Sequence, residues 1–90
     1  DYLASAGQQV SDLYADFSLG NTGHVASIAH KLKSSSRSVG ALALGDLCTE
    51  LENACRAEDK ESTAQHMAKI ETTWKAVAVE IADFLDQQKV

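Results

Sequence analysis

The stretch "AHKLKSSSRSVGALALGDLCTELE", residues 29–52, carries the clearest structural pattern in this sequence. On both sides of Gly40, apolar and small residues recur at spacings of three and four, the periodicity of a helix that buries one face. Gly40 itself suits the position just past a helix end, where the backbone often adopts a left-handed conformation. The stretch therefore predicts two consecutive helices, from about Gly23 to Val39 and from about Ala41 to Glu58, joined by a tight turn.

One further helix is predicted on each side of this pair. The first runs from about Tyr2 to Phe17 and is followed by "SLGNTG", where Asn21 or Thr22 can cap the next helix. The last runs from about Lys60 to Gln87, with Asp59 as its N-cap. The inward faces are predicted to hold Leu3, Val10, Leu13 or Tyr14, and Phe17; then Val25, Ile28, Ala29, Leu32, Ser36 and Val39; then Leu44, Leu47, Cys48, Leu51 and Cys55; then Met67, Ile70, Trp74, Val77, Ile81 and Phe84. Amphipathic helices with short connections, in a chain without proline, predict an all-α, antiparallel four-helix bundle.

The length of the chain limits its organisation. Ninety residues suffice for one small domain, so residues 1–90 are expected to form a single domain. Because the chain opens on Asp1 rather than methionine, we expect a fragment of a larger multidomain protein. No apolar run reaches the length of a membrane span, and no signal peptide is visible. Cys48 and Cys55 would lie about 10 Å apart along one helix, too far for a disulfide, so both are expected to be free, buried thiols in a reducing compartment.

The distribution of charge is more informative than its sum. The net charge of −5 argues against nucleic acid as a partner. From Phe17 to Gly45, however, there is no Asp or Glu, whereas Lys31, Lys33 and Arg37 all fall in that window. One interpretation is a solvated face with uneven charge; the other is a local basic site for an anion or an acidic partner.

His30 lies at the centre of this basic window. On a helical wheel centred on Leu32, its side chain falls about 160° from the inward face and points to solvent. Its neighbours on that surface are two cations, Lys33 and Arg37, and three small residues that would let a partner dock, Ala26, Ser27 and Ser34. A neutral imidazole can act as a nucleophile, and the cations would stabilise a phosphoryl group on the ring. The same pattern also fits an ordinary exposed histidine on a basic helix face.

The wider motif resembles the signature of histidine-containing phosphotransfer (HPt) domains. That family's pattern is roughly A-H-x-L-K-G-S/A-x-x-x-G-A-x-x-L-x-x-L-C-x-x-L-E. It is matched here by Ala29, His30, Leu32, Lys33, Ser35, Gly40, Ala41, Leu44, Leu47, Cys48, Leu51 and Glu52. The lengths and order of the predicted helices also agree with the family, so the resemblance covers nearly the whole chain. One position departs from the pattern: Ser34 stands where glycine commonly follows the lysine, and because serine is small, docking should survive.

The resemblance implies a role in a two-component phosphorelay. His30 would accept a phosphoryl group from the aspartyl phosphate of a receiver domain and pass it to the aspartate of another receiver. Lys33 would hold phosphoryl oxygens, and Arg37 lies where members of the family often carry a second basic residue. Glu52 matches the motif as well, but it is expected to be structural or solvent-facing and is assigned no chemistry.

The resemblance also implies a setting for the domain. We expect part of a bacterial hybrid sensor histidine kinase, cytoplasmic, with the parent protein anchored in the inner membrane. The partners would be receiver domains of the parent kinase or of a response regulator, and the isolated domain would be monomeric, without direct membrane contact. Because the chain has no glycine-rich phosphate loop, no kinase motif and no acidic cluster in sequence near His30, it would carry phosphate rather than act as a kinase. No cofactor is expected in the domain, and Mg²⁺ would belong to the partner receiver.

Two other functions are compatible with a helical bundle. A zinc site is disfavoured, because His24 and His30 differ by six positions and so point to different sides of one helix, while His66 has no paired ligand at i+4. A docking or dimerisation module that binds receiver or kinase domains without phosphotransfer would use the same face of the second helix. The clustering of His30, Lys33 and Arg37 favours phosphotransfer over that alternative.

Overall fold

The computed structural model describes residues 1–88 of the chain. Within that range there are four helices and no strands: α1 (Tyr2–Ser18), α2 (Thr22–Ser38), α3 (Leu42–Arg56) and α4 (Lys60–Gln87). Short turns connect consecutive helices, and each helix packs against two others, α1 and α3 both lying between α2 and α4. The predicted all-α, antiparallel four-helix bundle is confirmed. Residues 89–90, which end the predicted domain, lie outside the described range.

Local signals set the helix boundaries. Asp59 caps α4, its side chain accepting a hydrogen bond of 3.0 Å from the backbone N–H of Ser62, as predicted. Gly20 and Gly40 follow the ends of α1 and α2 with φ of 73° and 83°, a left-handed conformation that glycine adopts without the steric cost of a Cβ. Asn21 occupies the N-cap position of α2, but its side chain makes no capping hydrogen bond.

The core fills the space between the four buried faces. Its fully buried large side chains come from every helix: Leu13, Val25, Leu32, Leu44, Cys48, Leu51, Met67 and Ile70. The predicted inward positions Val39 and Phe84 are wrong, because both are exposed. Val39 follows the last residue of α2, and Phe84 lies near the end of α4, whose 28 residues run past the 17 of α1 and the 15 of α3.

Cys48 and Cys55 are free and buried, as predicted. Burial raises the pKa of the Cys48 thiol to about 12 and also raises that of Cys55. Both side chains therefore contribute packing as neutral thiols. No helix within residues 1–88 is long and apolar enough to cross a membrane.

Candidate functional site

His30 lies on the surface of α2, beside α3. Its side chain is 57% exposed, so the predicted accessibility of the imidazole is confirmed. The ring is not isolated in solvent, however. Its Nδ1 lies 3.3 Å from each carboxylate oxygen of Glu52 on α3. One ring nitrogen is thus engaged by a carboxylate, while Nε2 has no hydrogen-bond partner among residues 1–88.

The orientation of α2 explains why this contact was not predicted. The buried face consists of Val25, Ala26, Ala29, Leu32 and Ser36. The mean direction of these side chains on a helical wheel lies about 110° from His30, not about 160°, because the face is not centred on Leu32. Ala26, expected on the docking surface, is only 3% exposed and packs in the core. Ser27 and Ser34 are exposed, as expected.

Glu52 contacts His30 directly, which the sequence interpretation did not predict. It is only 8% exposed, and its carboxylate is contacted by cationic side chains from both α2 and α3. Its Oε1 accepts from Lys33 Nζ at 3.4 Å, and its Oε2 accepts from Arg56 Nη2 at 2.9 Å and from Arg56 Nε at 3.1 Å. Of the two expectations for Glu52, the solvent-facing one is therefore wrong, because the carboxylate is buried against His30, Lys33 and Arg56. The match of Glu52 to the HPt motif was the signal available in the sequence. Its contact with His30 could not be predicted from helical spacing, because the two residues are 22 positions apart.

The protonation of Glu52 reflects these contacts. Burial by itself raises the pKa of the carboxyl, but hydrogen bonds from Arg56, His30 and Lys33 outweigh that effect and hold the pKa below its usual range. At neutral pH the site therefore contains a carboxylate with two permanent cations around it. An anionic acceptor beside Nδ1 favours the ring tautomer that carries its proton on Nδ1.

Lys33 lies close to the imidazole, in agreement with its predicted position. Its Nζ is 3.4 Å from His30 Nδ1 as well as from Glu52 Oε1. The side chain is only partly exposed, because it extends across the boundary between α2 and α3. Lys33 is thus held next to the ring by the same carboxylate that contacts the ring.

Arg37 is not brought to His30. Its Nη2 donates to Asp46 Oδ1 at 3.2 Å and to Thr49 Oγ1 at 3.3 Å, both on α3. Its aliphatic stem crosses Gly45, where an added Cβ would lie 2.8 Å from the Cγ of Arg37. The glycine inside α3 therefore makes room for this side chain, which is paired with α3 and not available as a free second cation.

The other histidines contact single carboxylates between helices. His24 Nδ1 lies 3.8 Å from Asp16 Oδ1, and His66 Nε2 lies 2.9 Å from Glu50 Oε2. Among residues 1–88, no group of three or more His, Cys, Asp or Glu side chains could hold a metal ion. Each of these two histidines therefore connects two neighbouring helices, and within residues 1–88 neither belongs to a group of metal ligands.

The ionised Glu52 should stabilise the fold in a pH-dependent way. We expect Glu52→Gln to lower the free energy of unfolding by about 1–2 kcal/mol at pH 7, since an amide accepts hydrogen bonds from cations more weakly than a carboxylate does. Because folding lowers the pKa of Glu52, its contribution is complete above about pH 5 and is lost as the pH falls through the titration of the folded carboxyl. Urea denaturation of both proteins between pH 3 and pH 7 measures the difference.

The matched control for this prediction is Glu71→Gln. Glu71 pairs with Lys75 at 3.1 Å, but both side chains are exposed, so the variant should differ little from wild type at any pH. A difference between wild type and Glu52→Gln that stays constant down to pH 3 would contradict the role given to the ionised carboxylate.

The fold and the site together define a class of protein. A helical bundle that presents an accessible imidazole beside cations, with one ring nitrogen engaged by a carboxylate, has the features of a phosphoryl-carrier domain. The sequence model of the Hpt domain family matches residues 1–87, and the chain therefore belongs to that family. The resemblance noted in the motif is thereby confirmed, and family membership supports a phosphocarrier role in a phosphorelay.

A curated relative agrees with this assignment. The chain is 29% identical, over 65 residues, to histidine-containing phosphotransfer protein 2 of Arabidopsis thaliana. The match covers 72% of this chain and 42% of the relative, so the chain spans less than half the length of that protein. No solved structure matches the chain.

Proposed function

We propose that this domain carries a phosphoryl group between receiver domains and that His30 is the residue that bears it. The observation that carries the proposal is the exposed imidazole whose Nδ1 is engaged by Glu52 while Nε2 is left without a partner in residues 1–88. His30 would accept the group from the aspartyl phosphate of one receiver and pass it to the aspartate of another.

Transfer of the phosphoryl group to His30 forms one bond to the imidazole and breaks one bond to the aspartate of the receiver. With its proton on Nδ1, the neutral ring offers the lone pair of Nε2 to the phosphorus of an aspartyl phosphate. The N–P bond forms, the P–O bond to the aspartate breaks, and the aspartate leaves as a carboxylate. The ring becomes cationic while it keeps its Nδ1 proton, and Glu52 stabilises that charge from 3.3 Å, as a buried carboxylate stabilises the imidazolium of a catalytic triad. The return step reverses these changes.

The nearby cations would neutralise charge on the phosphoryl group. Lys33 Nζ lies beside the ring and could exchange part of its contact with Glu52 for a phosphoryl oxygen. Arg37 could serve as a second basic contact only by leaving Asp46 and Thr49 on α3. We propose no cofactor in this domain and assign Mg²⁺ to the partner receiver.

The proposed docking surface is the exposed face of α2 around His30. Ser27 and Ser34 provide clearance there, whereas the buried Ala26 does not. The wider setting that we propose is a bacterial hybrid sensor histidine kinase in the cytoplasm, its parent protein anchored in the inner membrane, with this domain acting as a monomer.

The test is direct transfer. The purified domain is incubated with phosphorylated receiver domains, and the product is examined for a phosphoryl group that is labile in acid and stable in alkali. Uptake of such a group supports the proposal. If no receiver phosphorylates the domain but receivers still bind it, the alternative of a docking module without phosphotransfer is correct.

Bulk at Ser34 should separate docking from chemistry. We expect Ser34→Trp to slow uptake from a receiver at least about tenfold, because the indole would occupy the space one turn from His30 that the receiver needs. Uptake from phosphoramidate, a small phosphoryl donor, should stay within about twofold of wild type, because that donor needs no docking surface.

The matched control is Thr72→Trp, at an exposed position of α4, which does not pack against α2. This variant should accept a phosphoryl group at the wild-type rate from either donor. Normal transfer from the receiver to Ser34→Trp would show that the docking face lies elsewhere.

A further inference from the structure

Arg56 is tied to the site through Glu52. It is the last residue of α3, one turn after the glutamate, and its side chain is 60% exposed. Its Nε and Nη2 both donate to the same oxygen, Oε2, at 3.1 Å and 2.9 Å. Among residues 1–88 no other side chain holds Glu52 at so short a distance, since Lys33 and His30 lie at 3.4 Å and 3.3 Å. The arginine is therefore the main anchor of this carboxylate.

We propose that Arg56 is a positioning residue for phosphotransfer: by anchoring Glu52 it favours the Nδ1–H tautomer of His30 and leaves Nε2 free to receive the phosphoryl group. This inference rests on the proposed function of His30 and extends it to a residue outside the motif. Arg56 itself acts only through Glu52 and is given no contact with the phosphoryl group.

The need for an anchor follows from competition at the carboxylate. Lys33 Nζ lies 3.4 Å from both Glu52 Oε1 and His30 Nδ1, which are themselves 3.3 Å apart, so the ammonium group competes with the imidazole for the same carboxylate oxygen. A flexible glutamate side chain that is not anchored can turn toward the ammonium group and leave the imidazole. Arg56 prevents this because two N–H groups of one planar guanidinium hold one oxygen, which restricts the orientation of the whole carboxylate.

The tautomer of His30 gives a readout that a merely structural salt bridge would not change. ¹⁵N NMR of the imidazole, recorded on the unphosphorylated domain at a pH where the ring is neutral, reports which nitrogen carries the proton. We expect mainly the Nδ1–H form in wild type. In Arg56→Ala the spectrum should shift toward the tautomer mixture of a free imidazole, and Arg56→Lys, which keeps the charge but not the fork of donors, should lie between the two.

The rate of phosphorylation should follow the tautomer. With phosphoramidate as the donor, Arg56→Ala should take up the phosphoryl group about threefold to tenfold more slowly than wild type, and Arg56→Lys should recover part of the loss. The matched control is Lys75→Ala, which removes a second i,i+4 ion pair, Lys75 with Glu71, far along the chain on α4. It should change neither the tautomer nor the rate.

The outcomes separate this inference from the proposed function. If wild type is phosphorylated and Arg56→Ala keeps the wild-type tautomer, or shifts it without slowing uptake, the positioning role is overturned and the carrier function stands. If wild type accepts no phosphoryl group from receivers or phosphoramidate, the proposed function fails and the positioning role fails with it, whatever the tautomer. Circular dichroism and thermal melting of each variant confirm that its helices are intact.

Discussion

We expect His30→Gln to have the largest effect on activity: it should abolish phosphoryl uptake by this domain while leaving its fold intact. Glutamine has no nucleophilic ring nitrogen, so the acid-labile, alkali-stable product should fall at least about a hundredfold, to the background of the assay. The side chain of His30 is largely exposed and contributes little to the core. The thermal midpoint should therefore stay within a few degrees of wild type.

The experiment has a control on the same helix. His24 is also exposed on α2, but its only carboxylate contact within residues 1–88 is Asp16 at 3.8 Å, and no cation pairs with that site. We expect His24→Gln to accept the phosphoryl group at the wild-type rate. Equal labelling of His30→Gln and wild type would remove His30 from the mechanism.

Leu13→Ala should destabilise the domain more than any of the substitutions at the phosphotransfer site. Leu13 lies on α1 and is completely buried in the core between the helices. Removing its branched side chain leaves a cavity and should lower the free energy of unfolding by about 2–5 kcal/mol. For a domain of this size, such a loss corresponds to a fall of roughly 10 °C or more in the thermal midpoint.

Leu19→Ala is the matched control for that change. Leu19 directly follows α1 and is 79% exposed, so the same substitution removes little buried surface. Its effect should stay within about 0.5 kcal/mol of wild type in chemical denaturation. Similar losses in the two leucine variants would contradict the placement of the core. Because Leu13 is buried in the core while the side chain of His30 is exposed, any Leu13→Ala protein that remains folded should still be phosphorylated on His30.

The helices could be predicted because their signals are local. The predicted start of α4 at Lys60 agrees with the structure because Asp59 supplies the cap. The end of α2 at Ser38 lies one residue before the prediction and two residues before Gly40. Periodicity identified most of the buried residues, since a helix facing a core must repeat apolar side chains every three or four positions. It failed at Phe84 because a repeating pattern does not tell where the neighbouring helices end.

The site was predicted only in part, for a different reason. His30 and Lys33 lie one turn apart on α2, so their proximity follows from helical geometry alone. The prediction that Ala26 lies on the docking surface was wrong, because it depended on the rotation of α2 about its own axis. The pairing of Arg37 with Asp46 and Thr49 on α3 could not be predicted for the same reason. That rotation is set by which residues of α3 pack against it, and Gly45 admits the stem of Arg37 there.

The sequence by itself determined the class of the fold, the family and the identity of the exposed histidine, because all three depend on residues close together along the chain. Only the tertiary structure decided what the histidine contacts. Glu52 reaches the ring because the turn at Gly40 folds α3 back along α2, and Arg56 anchors Glu52 from the following turn of the same helix. Such a contact depends on how two helices are rotated and packed against each other, and periodicity constrains the buried stripe of each helix without specifying that rotation.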